Sequence, residues 1–120
     1  MKVAFTTSGS SLNAPFNNTF GRSPNFMIYD LNSDTFEIVE NMQNLNAAQG
    51  AGIQSAQTLA KSGVQCLISG HCGPKAFRVL SAAGIKIYYA KEATVADALH
   101  AFRNGNLPLA QSADVESHHA

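Results

Sequence analysis

His71 and Cys72 stand side by side in the stretch "LISGHCGPKAF", Leu67 to Phe77. Imidazole and thiolate are the side chains best suited to a soft metal such as copper or zinc, or to a metal–sulfur cluster. Pro74 fits the first turn of a helix. Cys72 therefore falls just ahead of a helix N-terminus, where the dipole and unbonded amides favour a thiolate. Lys75 and Arg78 add positive charge close by. Three readings stay open for the pair: a metal contact, a reactive thiol, or an ordinary turn.

A closed zinc site is a poor match. It needs three or four protein ligands at suitable spacing. Outside the pair, the chain offers only Cys66 in a β-type run, His100 in a helical one, and His118 and His119 in the tail. A cluster that arrives with its own sulfide needs fewer ligands. It needs a lined cavity, hydrogen-bond donors and compensating positive charge. Arg22, in "FGR" (Phe20 to Arg22), is the one charge of a long polar stretch and offers a fan of donors to an anion. "GAG", Gly50 to Gly52, opens a helix, and its amides suit the same purpose. Neither the dinucleotide fingerprint nor a P-loop is present. "SGHCG" fails the nucleophile-elbow pattern. The first strand, "KVAFTT", has no carboxylate, which argues against a metal-dependent nuclease.

These residues must be positioned by a small molecule. The chain of 120 residues suits one domain with a modest core. Hydrophobic residues make up 45% and charged residues only 13%, with formal net charge zero, which speaks against a general nucleic-acid binder. No apolar run reaches the roughly 20 residues of a membrane span, and the start "MKVAFTTSGS", with one Lys and a short apolar stretch, does not read as a signal peptide. Two cysteines make no disulfide framework, and Cys66 reads as a small core residue. A reducing, cytoplasmic setting is expected.

Along the chain, Lys2 to Thr7 reads as a strand. Ser8 to Pro24, dense in Ser, Asn, Gly and Pro, reads as a long ordered loop of the kind that carries function. "NFMIYDL" and "TFEIVEN" read as a hairpin turning at Asn32 to Asp34. In its second arm Phe36, Ile38 and Val39 set against Glu37 and Glu40 suggest a wet sheet edge. After a second polar loop, Asn41 to Gly52, apolar residues recur at helical spacing in three segments. These are Ile53, Ala56, Leu59 and Ala60; Ala76, Phe77, Leu80 and Ala83; and Val95, Ala98, Leu99 and Phe102. Gly63, Gly84 and Gly105 end them. Thr94 with Asp97 makes a weak capping box. "VQCLIS" and "IKIYYA" are strands, and "LAKSGVQCLIS" repeats as "LSAAGIKIYYA". The order is β-β-β-α-β-α-β-α, an α/β fold with a mixed sheet. The domain is expected over residues 1–106, with a flexible C-terminal tail over 107–120. The loops after strands one, three and four should gather at the carboxyl end of the sheet, where open α/β sheets bind ligands.

The strand "MKVAFTTSG" is followed by "FNNTFGRSPNFMIYD", then "AAQGAGIQSAQTLAKSGV", then "LISGHCGPKAFRVLSAAGIKIYYA". In this combination, over roughly residues 1–105, the chain resembles the dinitrogenase iron–molybdenum cofactor biosynthesis family. It looks nearest to the molybdenum–copper cluster members from sulfate-reducing anaerobes. The resemblance implies a ribonuclease-H-like three-layer fold around a five-stranded mixed sheet, without nuclease activity. It also implies noncovalent carriage of an anionic metal–sulfur cluster, of molybdenum–copper sulfide type or else iron–molybdenum or iron–sulfur. The cofactor-binding positions carried over are Thr19, Phe20, Gly21, Arg22, Gly50, Gly52, Gly70, Gly73 and Lys75, with His71 and Cys72 as soft contacts. Thr19 stands where many members have His.

The expected function is thus cluster binding at the carboxyl end of the sheet. It is not catalysis, and its partners are the cluster and any proteins that donate or accept it, not nucleic acid or membrane. Two alternatives use the same residues differently. One is a sulfur-transfer enzyme with Cys72 as nucleophile. The other is a metal-free interaction domain that pairs through the edge at Phe36 to Glu40.

Overall fold

In the computed structural model the described residues are 1–17, 20, 23–41 and 51–110. The apolar runs form β1 (Lys2–Thr7), β2 (Asn25–Asp30), β3 (Thr35–Glu40), β4 (Cys66–Ser69) and β5 (Lys86–Tyr89). The segments of helical period form α1 (Ala51–Lys61), α2 (Pro74–Ala82) and α3 (Val95–Arg103). The order along the chain is the expected one.

The strands make one mixed sheet in the order β3-β2-β1-β4-β5. β1 pairs antiparallel with β2 and parallel with β4, β2 pairs antiparallel with β3, and β4 pairs parallel with β5. Alternation along β1 shows why the sheet is covered on both faces. Ala4 joins an apolar cluster with Ala56 and Leu59 of α1 and Ala76 and Leu80 of α2. Val3 and Phe5 join the opposite cluster with Val95, Ala98 and Leu99 of α3. Two helices thus cover one face and one covers the other.

Gly63, Gly84 and Gly105 have φ of +76°, +80° and +71° just beyond the three helices, the left-handed stop that an L side chain resists. Thr94 caps α3 by accepting the Asp97 amide at 3.1 Å, so the Thr half of the expected capping box forms. β3 is the sheet edge, as its alternation suggested. Val39 packs on the α1–α2 side and Ile38 on the α3 side, while Phe36 stays 40% exposed and stacks on Tyr29.

The chain beyond residue 106 does not leave the fold at once. Leu109 bridges Tyr88, and the Ala110 amide donates to the Ile87 carbonyl at 2.8 Å, so residues 107–110 line the outer edge of β5. Residues 111–120, with the tail histidines, lie outside the described residues.

Candidate functional site

β1, β3 and β4 run in one direction, so the segments that follow them start at the same end of the sheet. The threonines that end β1 anchor the first of these segments. The Thr6 hydroxyl donates to the Asn17 carbonyl and the Thr7 hydroxyl to the Pro15 carbonyl, both at 2.8 Å. Further on, the Phe20 amide donates to the His71 carbonyl at 3.1 Å, which also accepts from the Ser69 hydroxyl at 3.2 Å. Phe20 and the "HC" turn, far apart in sequence, are therefore joined directly. Phe20 is 1% exposed and its ring stacks on Phe26 at 5.4 Å, which fixes this residue against the sheet.

His71 and Cys72 have different surroundings. His71 is exposed and shares a groove of about 300 Å³ with Gly70, Tyr89, Lys91 and Glu92. Cys72 is 1% exposed and belongs to the apolar cluster that holds Phe20 and Ala76. The expectation that both side chains meet a metal runs into this burial at Cys72, whose side chain is in the core and not at the surface as the turn stands. The same burial counts against Cys72 as an enzyme nucleophile. Cys66 is a core thiol as expected: it packs under α3, and burial pushes its ionisation up, only partly offset by Lys86.

The helix starts differ in what they offer an anion. At α3 the first amides are already used: Val95 donates to the Ala14 carbonyl at 3.0 Å and Ala96 to the Leu12 carbonyl at 2.8 Å. At α2 the cap is Gly73, which has no side chain to accept from the first turn. Lys75 is exposed on that turn. A methyl group on Gly52 would sit 3.4 Å from the Ala76 side chain, so the first turn of α1 lies against that of α2. Phe20, Gly52, Gly70, His71, Gly73 and Lys75 thus share one end of the molecule. Thr19, Gly21, Arg22 and Gly50 lie outside the described residues. Among the described residues no group of three His, Cys, Asp or Glu could hold a metal ion, and no helix is long and apolar enough to cross a membrane.

Several neighbouring residues were missed in the sequence. Lys91 brings a cation, beside the Glu92 carboxylate, to the His71 groove. Ser23, Asn41 and Ser55 are buried polar residues bonded in series. The Ser23 hydroxyl accepts from the Thr7 amide at 3.0 Å and lies 2.7 Å from the Asn25 carbonyl. The Asn41 side-chain amide donates to the Ser23 carbonyl at 2.8 Å, and the Ser55 hydroxyl donates to Asn41 Oδ1 at 3.0 Å. The available signal was a serine among the alanines and leucine of the buried α1 stripe.

Comparison with known proteins extends this picture. The dinitrogenase iron–molybdenum cofactor family model matches residues 1–105. An uncharacterised protein of Methanocaldococcus jannaschii is 32% identical over 110 residues, which is 89% of each chain. The orange protein of Desulfovibrio gigas, solved in its apo form, is similar at TM-score 0.90 and 37% identity, over 95% of this chain and 96% of that one. A Thermotoga protein of the DUF35 family, solved by NMR, is similar at TM-score 0.80 and 32% identity, over 96% and 97% of the two chains. With a match over residues 1–105 and relatives above 30% identity along nearly the whole length, the chain belongs to the dinitrogenase iron–molybdenum cofactor family.

Proposed function

We propose that this protein binds and carries, noncovalently, an anionic metal–sulfur cluster at the carboxyl end of its sheet. The observation that carries the reading is the bond from the Phe20 amide to the His71 carbonyl. It joins Phe20 to the turn that leads into α2, whose N-terminus has no side-chain cap. Family membership supports a cofactor-binding or carrier role. The fit is that of a donor-rich, cationic seat and not of a thiolate cage. Gly73 leaves first-turn amides without a side-chain cap, Lys75 and Lys91 supply charge, and His71 offers an exposed imidazole. In a site with few charges each cation counts for more.

The cargo we assign is a molybdenum–copper sulfide cluster, with iron–molybdenum or iron–sulfur species as alternatives. Arg22 and Lys75 offset its charge, the amides around Gly21, Gly50, Gly52, Gly70 and Gly73 bond its sulfides, and Phe20, whose own amide is held by His71, walls the seat. Thr19 borders the seat. His71 is the soft contact within reach, while Cys72 touches metal only if the turn opens. The role is non-catalytic, in a single domain over residues 1–106 of the ribonuclease-H-like class. A reducing cytoplasmic setting suits its thiols, and donor or acceptor proteins are its partners.

Amide exchange tests the location. On adding tetrathiomolybdate and Cu(I), exchange should slow across residues 8–24 and 70–76 and stay unchanged in the hairpin turn at 31–34, at the far end of the sheet. Protection confined to β3 would instead favour a second reading, a partner-docking edge, which the exposure of Phe36 supports.

A further inference from the structure

A buried hydrogen-bond chain ties together the three segments that the proposed seat needs. Thr7 ends β1, Ser23 ends the first long segment, Asn41 follows β3, and Ser55 sits in the first half of α1. Thr7, Ser23 and Ser55 are 0% exposed and Asn41 is 7% exposed. Polar groups in such a place add little stability over an apolar filling, because each must recover the water it has lost. Their bonds are directional, however, and hold their partners in one arrangement.

Asn41 is the centre. Its backbone amide donates to the Pro24 carbonyl at 2.8 Å, its side-chain amide to the Ser23 carbonyl, and its Oδ1 accepts from Ser55. It uses a donor and an acceptor on one short side chain, which neither Asp nor Leu can do. Ser23, Asn41 and the first half of α1 are thereby fixed to one another and to β1.

We infer that Ser23, Asn41 and Ser55 are positioning residues of the cluster seat: they hold the residues that border it, Ser23, Asn41 and the first half of α1, in register with β1 before the cargo arrives. The inference rests on the cluster-carrier reading. Pre-ordering lowers the cost of binding, and groups that hold the contacts of a metal site typically cost 10–100-fold in affinity when removed.

The test uses the full chain with tetrathiomolybdate and Cu(I) as probe, and compares Ser55→Ala, Ser55→Thr, Asn41→Asp and Ser62→Ala. Ser62 is the control: its hydroxyl bonds the Thr58 carbonyl at the other end of α1. Four quantities are read: affinity, position of the charge-transfer band, melting temperature of the apo-protein, and apo amide exchange at Asn41. Ser55→Ala and Asn41→Asp should bind about 10–100-fold more weakly, with a displaced band and faster exchange of the backbone amide at position 41. Ser55→Thr should restore binding, and Ser62→Ala should match the parent protein. Unchanged affinity in Ser55→Ala, or a loss that only follows melting temperature with the band in place, overturns the inference. If the parent protein shows no band, and iron–molybdenum and iron–sulfur clusters are ignored as well, the carrier reading itself fails and takes the binding role with it. Asn41 exchange then judges the clamp alone, and exchange unchanged in Ser55→Ala removes that too.

Discussion

Adjacent residues at the carboxyl end of β4 meet opposite conditions: the His71 side chain is in water and the Cys72 side chain is in the core. The sequence gives the proximity of imidazole and thiol but not which way each faces, because that depends on Phe20 arriving from another segment. Ser55 and Asn41 were hidden for the same reason, as their partners are distant in the chain. Cys66 was legible, since a cysteine in an apolar β-run has one plausible destination. Its ionisation is raised by burial. A raised folded value means that its contribution is intact below the ordinary thiol range and fades as pH climbs through the folded value. The melting temperature should therefore fall above about pH 8.5–9, and by less in Cys66→Ala. Alkylation followed by mass spectrometry should find Cys66 unmodified until the protein unfolds. Rapid labelling of native protein would contradict the burial.

At the scale of elements, the capping glycines and the helix stripes were readable because periodicity and left-handed stops are local. The repeat was readable only in part. Leu59 with Leu80, and Val64 with Ile85, occupy equivalent core places on the α1–α2 side. Inside the strands the correspondence slips by one residue. Leu67 pairs with Ile87, not Cys66 with Ile87, because β5 begins one residue sooner after its glycine than β4 does. The first long segment shows a tighter constraint. A methyl group on Gly9 would lie 2.5 Å from the Ala14 side chain, and the Ala14 carbonyl accepts from the first residue of α3. Gly9→Ala should cost about 1–3 kcal/mol. Ala14→Gly in the same chain should recover most of that loss in a denaturation double-mutant cycle. Simple additivity of the two would rule out the contact as the cause.

At the scale of the molecule, the two sheet edges are treated differently. Residues 107–110 line β5, while no described residue pairs with the outer edge of β3, which carries Glu37 and Glu40, charges that discourage pairing with other strands. The late strap was not legible, because Leu107 to Ala110 has no periodicity of its own and borrows its conformation from β5. The open edge is tied to α3 by Arg103, which bonds Asp34 and lies 5.6 Å from the Tyr29 ring centre. The Arg103 hydrogen bond is the main reason the Asp34 carboxyl is held below its ordinary range. With a depressed folded value, the contribution is present above the unfolded carboxylate range and disappears as pH falls through the folded one. Asp34→Asn, which keeps a residue tolerant of the φ of +56° there, should melt slightly below the parent at pH 7 and converge with it in acid. A gap that persists below about pH 2–3 would place the effect elsewhere. The convergence of Phe20, His71, Gly73 and Lys75 at one end is the whole-molecule feature on which the proposed function rests. The most direct test is an ultraviolet–visible titration with elemental analysis, in which tetrathiomolybdate and Cu(I) are added to the purified apo-protein beside His71→Ala. The account predicts stoichiometric molybdenum and copper with new charge-transfer bands in the parent, and weaker binding in His71→Ala at nearly unchanged melting temperature. The absence of bound metal and of any new band from the parent, with iron–molybdenum or iron–sulfur clusters equally ignored, would contradict it.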